Sequence, residues 1–98
     1  MNFILSPSAI HDLDLLSEYF LEHNVEAGER LFSALNKAFY NLTQFPNIGR
    51  LYPHLEPSIR GLLVEKYIVF YHISSTQVEI VHIADGRKNL FALFHKDN

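Results

Sequence analysis

The sequence predicts an α+β fold: a short N-terminal strand and an antiparallel helix hairpin packed on a three- to four-stranded antiparallel β-sheet. Apolar residues recur every three or four positions through the first half of the chain, which is typical of amphipathic helices. From Ile59 onward they recur every second position, which is typical of strands. A chain of 98 residues, 48% hydrophobic and 19% charged, is suited to one folded core. We therefore expect a single domain over residues 1–98.

Two helices are predicted in the first half. Ser6 can cap the first helix, which should run from about Pro7 to His23, because proline suits the first helical position. Asn24 both breaks this helix and caps the second. The second helix must stop at Phe45, because the following proline disfavours helical geometry in the residue before it. A second apolar stripe leaves more hydrophobic surface than one core contact uses. It consists of Leu15, Tyr19, Phe32 and Tyr40.

A loop and three strands are predicted in the second half. Residues 46–58 contain three prolines and one glycine, which indicates a loop. The strands that follow are rich in Val, Ile, Tyr and Phe. They are predicted over Ile59–Glu65, Tyr67–Ser74 and Gln77–Ile83.

Both faces of the predicted sheet are apolar at the centre. If the second hairpin closes at Ser74, Phe70 lies opposite Val81, and His72 and His82 point to opposite faces. An antiparallel sheet with one wet face would alternate apolar and polar residues, so each face needs a cover. The helix hairpin can cover one face. The C-terminal segment or another chain is left for the other.

Composition excludes several classes of function. The absence of cysteine excludes disulfides, thiol nucleophiles and cysteine-based zinc sites. The net charge is -3, and residues 1–45 hold six of the eleven acids but only two of the eight bases. An overall basic nucleic-acid binder is disfavoured, whereas a local cationic patch in the second half is not. Without a long apolar run or a basic N-terminal region, we expect a cytoplasmic protein with no membrane partner.

The sequence predicts no metal and no cofactor. Its six histidines are scattered, and none follows another at a spacing typical of a zinc site on a helix. The acidic residues of the first helix fit a solvated or partner-facing surface better than a pair of catalytic carboxylates. The glycines are isolated, so no phosphate-binding loop is present.

Arginines and tyrosines of the second half are the remaining candidates for chemistry. They are Arg50, Arg60, Arg87 and Lys88, with Tyr52, Tyr67 and Tyr71. Such residues can bind a scissile phosphate and move protons, and they also dominate interface hot spots. No histidine or acid is clearly placed among them, so binding is favoured over catalysis. Strand tyrosines can also be simple core residues with a wet hydroxyl.

Four segments occur in order along nearly the whole chain: LSPSAIHDL, FPNIGR, IRGLLVEKYIVFYHI and VEIVHIADGRKNLFALF. Together they resemble the ParE toxins of the ParE/RelE superfamily, the toxic halves of bacterial type II toxin-antitoxin modules. Two departures stand out. Asp85-Gly86 and Lys88-Asn89 replace a His-Gly step and an Arg-Asp pair, and Ile68 stands where RelE-type nucleases commonly carry a cation.

The resemblance implies a toxin without chemistry of its own, which binds DNA gyrase and traps it on cleaved DNA. It also implies a ParD-like antitoxin whose disordered C-terminal segment covers exposed apolar surface. No direct nucleic-acid binding by the chain alone is expected. Target contacts are expected at Arg60, Arg87, Lys88, Phe91 and Phe94. Antitoxin contacts are expected at Leu13, Leu16, Phe20, Phe32 and Leu35.

Two alternatives remain open at this point. The first is a ribosome-dependent mRNA endonuclease of the RelE type, for which Arg60, Tyr71 and Arg87 would be the catalytic residues. The second is a degenerate, non-toxic binding module.

Overall fold

The computed structural model describes residues 1–95 and has the predicted α+β fold. Its elements are β1 (Asn2–Leu5), α1 (Pro7–His23), α2 (Val25–Gln44), β2 (Arg50–Leu51), β3 (Arg60–Val64), β4 (Tyr67–Ile73), β5 (Gln77–Asp85) and α3 (Leu90–Phe94). The strands form one sheet in the order β1-β5-β4-β3-β2. β1 runs parallel to β5, and the other neighbouring strands are antiparallel.

Side-chain caps set the bounds of the helix hairpin as the sequence predicts. The Ser6 hydroxyl accepts a hydrogen bond from the backbone N–H of Ala9 at 3.1 Å, at the start of α1. Asn24 ends α1 through its own N–H and begins α2 by accepting from the N–H of Ala27 at 3.1 Å. Phe45 is the C-cap of α2. A single residue therefore joins the two helices.

The first core lies between the helix hairpin and one face of the sheet. Its largest fully buried side chains are Leu31, Leu35, Leu42, Tyr71 and Ile80. The second core lies on the opposite face. There the connection between β2 and β3, together with α3, covers the sheet. The buried residues of the second core are Tyr52, Leu55, Ile59, Ile68 and Phe70, and Leu90 and Phe94 of the tail pack against them. The chain thus covers both apolar faces itself, as the two-sided pattern requires.

A β-bulge corrects the predicted register of the second hairpin. Near the turn the register is as predicted, with Tyr71 opposite Ile80. Val81 is then passed over, and Phe70 lies opposite His82. The extra residue shifts the partners of Phe70 and of the residues before it on β4 by one position on β5. Alternation of apolar and polar residues along the sequence does not reveal such a shift. As a result His82 does not lie on the face predicted for it and contacts Phe94 of the tail, with ring centroids 5.5 Å apart.

The sheet also has more strands than the repeat pattern suggests. β1 adds to β5 in parallel, and β2 lies inside the stretch predicted to be a loop. Neither strand is joined to its partner by a tight hairpin, so local spacing carries no sign of these pairings. Among residues 1–95, β1 pairs with β5 only as far as Leu5, and α1 lies along the rest of that edge. The hydroxyl of Ser6 donates to the carbonyl of Val81, and the carboxylate of Asp12 accepts from the N–H of Ile83.

The turn between β3 and β4 contains a strained residue. Glu65 has a φ of 55°, in the left-handed region that side chains with a Cβ disfavour. Glu65→Gly should therefore raise the free energy of unfolding by about 0.5 kcal/mol, as relief of strain outweighs added chain entropy. Urea denaturation would measure the change. Lys66→Gly, at the neighbouring turn position without a positive φ, should instead destabilise by roughly 0.5 kcal/mol. Equal effects at the two positions would contradict the strain at Glu65.

Candidate functional site

A cationic end of the molecule forms where β4 begins and β5 ends. Tyr67 pairs with Asp85, and the N–H of Gly86 donates to the carbonyl of Lys66 at 3.0 Å. These contacts place Lys66 beside the turn that carries Arg87 and Lys88. Lys66 was not among the predicted site residues. Its position directly before Tyr67, at the start of a strand predicted to pair with the strand that leads to Arg87, was the signal that could have identified it.

The guanidinium of Arg87 is held by the carboxylate of Asp85. Arg87 Nη2 and Nε donate to the two carboxylate oxygens at 2.8 and 3.1 Å, and the Arg87 N–H donates to Oδ1 at 2.9 Å. These hydrogen bonds hold the pKa of Asp85 well below its ordinary value of 3.8, and Asp85 raises the pKa of Arg87. Arg87 is nevertheless 75% exposed. The structure therefore presents Arg87 on the surface in a defined orientation.

This ion pair predicts an acid-sensitive contribution to stability. A carboxylate whose pKa is lowered in the folded state stabilises the protein above its unfolded-state pKa, and this stabilisation is lost as the pH falls toward the folded-state value. Asp85→Asn should therefore lower Tm at pH 7, by a small amount because Arg87 is exposed. The Tm difference from wild type should shrink below a pH of about 4. Thermal melts over a pH series would measure it. A difference that stays constant with pH would contradict the role of this pair.

The tail helix α3 divides its two phenylalanines between the core and the surface. Asn89 caps the helix by accepting from the N–H of Ala92. Phe94 packs edge-on against Phe70 with ring centroids 5.0 Å apart and remains partly exposed. Phe91 is 55% exposed and stacks on the ring of His95 at 3.9 Å. Phe91 is therefore more exposed than Phe94, which also supports the second core.

The proposed nuclease residues do not form one constellation. Tyr71 is fully buried, and its hydroxyl donates to the carbonyl of Pro46 at 2.6 Å and accepts from the N–H of Gly49 at 2.9 Å. Burial raises the pKa of Tyr71. Arg60 donates to the carbonyl of Gly49 at 2.6 Å. Both side chains therefore anchor the loop that follows α2.

Arg87 lies at the other end of the same strands. Arg60 pairs with Tyr71, whereas the β5 segment leading to Arg87 pairs with Tyr67, four residues earlier on β4. Because a strand rises about 3.3 Å per residue, Arg60 and Arg87 are separated by on the order of 13 Å along the strand direction. The three side chains are therefore not gathered at one position in this structure.

The residues predicted to contact an antitoxin lie on the helix hairpin, and they differ in how deeply they are buried. Leu13, Leu16 and Phe20 pack on the first core while remaining partly exposed, and Phe32 is also partly exposed. Leu35 is 1% exposed and forms part of the first core, so its prediction as a surface contact was wrong.

Further apolar side chains on the hairpin are more exposed than these. Leu15, Tyr19 and Tyr40 of the predicted second stripe are 51%, 53% and 65% exposed. At the closed end of the hairpin lies a groove of about 230 Å³. Its lining is mostly apolar, and it consists of Phe20, Leu21, Val25, Gly28 and Phe32 with the polar residues Ser17 and Glu29. Leu21 and Val25 were not predicted, because neither belongs to an apolar stripe of the helix pattern. The groove gives the hairpin a concave apolar surface.

The histidines and acids show no metal site in the described part of the chain. No group of three or more His, Cys, Asp or Glu residues there could hold a metal ion. His72 is paired with Glu56 at 3.0 Å, and His82 with Asp12 at 2.9 Å. Between residues 1 and 95, no helix has the length and apolar character needed to cross a bilayer.

Comparison with known proteins agrees with the resemblance seen in the motifs. The family model described as the ParE toxin of the type II toxin-antitoxin system parDE matches residues 3–90. Toxin ParE3 of Caulobacter vibrioides is 33% identical over 86 residues, covering 87% of this chain and 86% of that protein. A structure titled as the chromosomal ParDE TA system from P. aeruginosa is similar in fold, with a TM-score of 0.73 at 19% identity. The match covers 87% of this chain and 95% of that one.

Proposed function

The chain belongs to the ParE toxin family of type II toxin-antitoxin systems, and we propose that it acts by binding DNA gyrase and trapping the enzyme on cleaved DNA. The observation that carries this proposal is that the cations of the toxin differ in their surroundings. Arg60 is engaged in holding the loop after α2, whereas Arg87 and Lys88 are exposed at the cationic end beside Phe91. Exposed arginine and aromatic side chains together favour protein recognition.

The same difference between engaged and exposed cations favours binding over ribonuclease chemistry. A metal-free nuclease needs a general base or acid and a cation within reach of one phosphate. Tyr71 is enclosed by the loop after α2, and Arg60 donates into that loop. Ile68 supplies no charge on the sheet. The proposed toxin therefore acts without catalysis of its own.

A ParD-like antitoxin is the proposed neutralising partner. Its contact surface would be the apolar groove at the closed end of the hairpin, where Leu21 and Val25 are 68% and 49% exposed. A disordered segment can fold onto such a groove and bury it. The similar P. aeruginosa structure comes from a ParDE system, which supports a partner of this kind. Phe20 and Phe32, which line this groove, and Leu13 on α1 are kept among the proposed contacts, whereas Leu16 lines the groove beside the cationic end.

Supercoiling and toeprinting assays run side by side would test the proposal. Purified toxin should inhibit supercoiling of relaxed plasmid by gyrase, and a purified ParD-like antitoxin should reverse the inhibition. Toeprints of translating ribosomes should show no cuts in the mRNA. Cuts at the ribosomal A site together with unimpaired gyrase would replace this proposal with the nuclease alternative. Normal growth of cells expressing the chain alone would favour the degenerate module.

A further inference from the structure

A groove of about 410 Å³ runs between α1 and the cationic end. Leu15 and Tyr19 form its wall on α1, and each is about half exposed. Leu93 of the tail also lines it. Residues four apart on a helix lie on the same face, so Leu15 and Tyr19 present one continuous apolar strip. The strip lies next to the surface proposed for target binding.

The charges at this groove do not balance. Its two acids are already engaged, Asp85 by Arg87 and Asp12 by His82 and the N–H of Ile83. Lys66 and Lys88 also line the groove, and neither lies within 4.0 Å of a carboxylate belonging to residues 1–95. The groove therefore has three cations, Lys66, Arg87 and Lys88, against two carboxylates, and among residues 1–95 its two lysines make no ion pair, so it attracts an acidic ligand.

A phenol at the floor of the groove adds a hydrogen-bond donor. Tyr67 is 7% exposed, and no residue from 1 to 95 forms a hydrogen bond with its hydroxyl. Within residues 1–95, every fully buried side-chain nitrogen or oxygen has a hydrogen-bond partner. The Tyr67 hydroxyl has none, so it must be accessible to solvent. It therefore opens into the groove. Burial raises the pKa of Tyr67, which keeps the hydroxyl protonated and able to donate to a carboxylate.

We propose that this groove receives an acidic segment of the toxin's protein target, with an apolar side chain against Leu15 and Tyr19 and carboxylates at Lys66, Lys88 and Tyr67. The proposal deepens the proposed function and rests on it. Charge complementarity determines the chemistry of the occupant, and the shared border with Arg87 and Lys88 assigns it to the target. The groove proposed for the antitoxin segment lies at the closed end of the hairpin and shares no lining residue with this one.

Single substitutions with matched controls test the groove. Lys66→Glu and Leu15→Asp should each raise the toxin concentration needed for half-inhibition of gyrase at least about tenfold. Lys66→Arg should retain wild-type inhibition, because it keeps the charge. Lys37→Glu and Tyr40→Asp on α2 are the controls, since both side chains are exposed and lie outside the groove. The controls should inhibit as wild type does, and thermal melts should show all variants folded.

Growth arrest and antitoxin binding, measured on the same variants, separate the possible outcomes. If wild type arrests growth without inhibiting gyrase, the gyrase proposal fails, and loss of arrest in Lys66→Glu and Leu15→Asp still supports the groove. Arrest at the wild-type level in both variants overturns the groove proposal. Loss of antitoxin binding with retained arrest overturns it as well, because the occupant is then the antitoxin. A wild-type chain that arrests no growth overturns both proposals.

Discussion

Replacing Arg87 and Lys88 together with glutamate should abolish growth arrest and raise the concentration for half-inhibition of gyrase by about 100-fold or more. Both side chains are exposed at the cationic end, so the substitutions change the recognition surface without removing core packing. Reversing two charges converts attraction for an acidic target into repulsion. Plating efficiency under induction and a supercoiling titration would measure the effect.

Antitoxin binding should survive this double substitution, because the proposed antitoxin groove lies at the closed end of the hairpin. Arg30→Glu with Lys37→Glu provides the matched control, since it reverses two exposed cations on α2. Full toxicity in the Arg87 and Lys88 variant would show that the active surface lies elsewhere. Deleting residues 87–98 is a weaker test. It also removes Leu90 and Phe94, which pack on the second core, and thus confounds folding with recognition.

Gly49→Ala should lower the free energy of unfolding by about 3 kcal/mol and lower Tm by roughly 15 °C. A Cβ at this position would lie 2.6 Å from the Tyr71 hydroxyl and 2.9 Å from the backbone carbonyl oxygen of Gly61. The loop after α2 would have to move, breaking the hydrogen bonds that Tyr71 and Arg60 make to it. Chemical denaturation followed by circular dichroism would measure the loss.

Gly86→Ala is the control for this prediction. A Cβ there would lie 3.4 Å or more from its nearest neighbours, and the residue has no positive φ, so the change should be within about 0.5 kcal/mol of neutral. Equal stability of the two variants would contradict the anchoring role of Tyr71. A destabilised Gly49→Ala that still inhibits gyrase at low temperature would place the loop in folding and not in recognition.

The sequence predicted the fold best where single residues decide local structure. Ser6 and Asn24 cap the helices at the predicted positions, and Phe45 ends the second helix as its proline neighbour requires. The two-sided apolar pattern of β4 also correctly indicated that a second cover was needed. These features depend on hydrogen bonds and spacing within a few residues, so they can be recognised without tertiary structure.

Tertiary contacts decide the features that sequence reasoning missed. One passed-over residue, Val81, shifts the register of half a hairpin, and no local pattern signals it. The tail pattern contains alternating leucines and phenylalanines, but only packing shows that Phe94 faces Phe70 while Phe91 faces solvent. Likewise Arg60 is predicted to contact the target, whereas in the structure its guanidinium donates to the carbonyl of Gly49 and holds the loop after α2. Contacts predicted from residue type alone therefore included both side chains that support the fold and side chains that are exposed for recognition.

A gyrase-DNA cleavage assay tests the central claim most directly. Gyrase and supercoiled plasmid are incubated with the toxin, the reaction is stopped with detergent, and protease releases broken DNA for electrophoresis. Linear plasmid should accumulate with rising toxin, and the Arg87 and Lys88 charge-reversal variant should give none above background. Inhibited supercoiling or growth arrest without any linear DNA would contradict trapping of the cleaved complex.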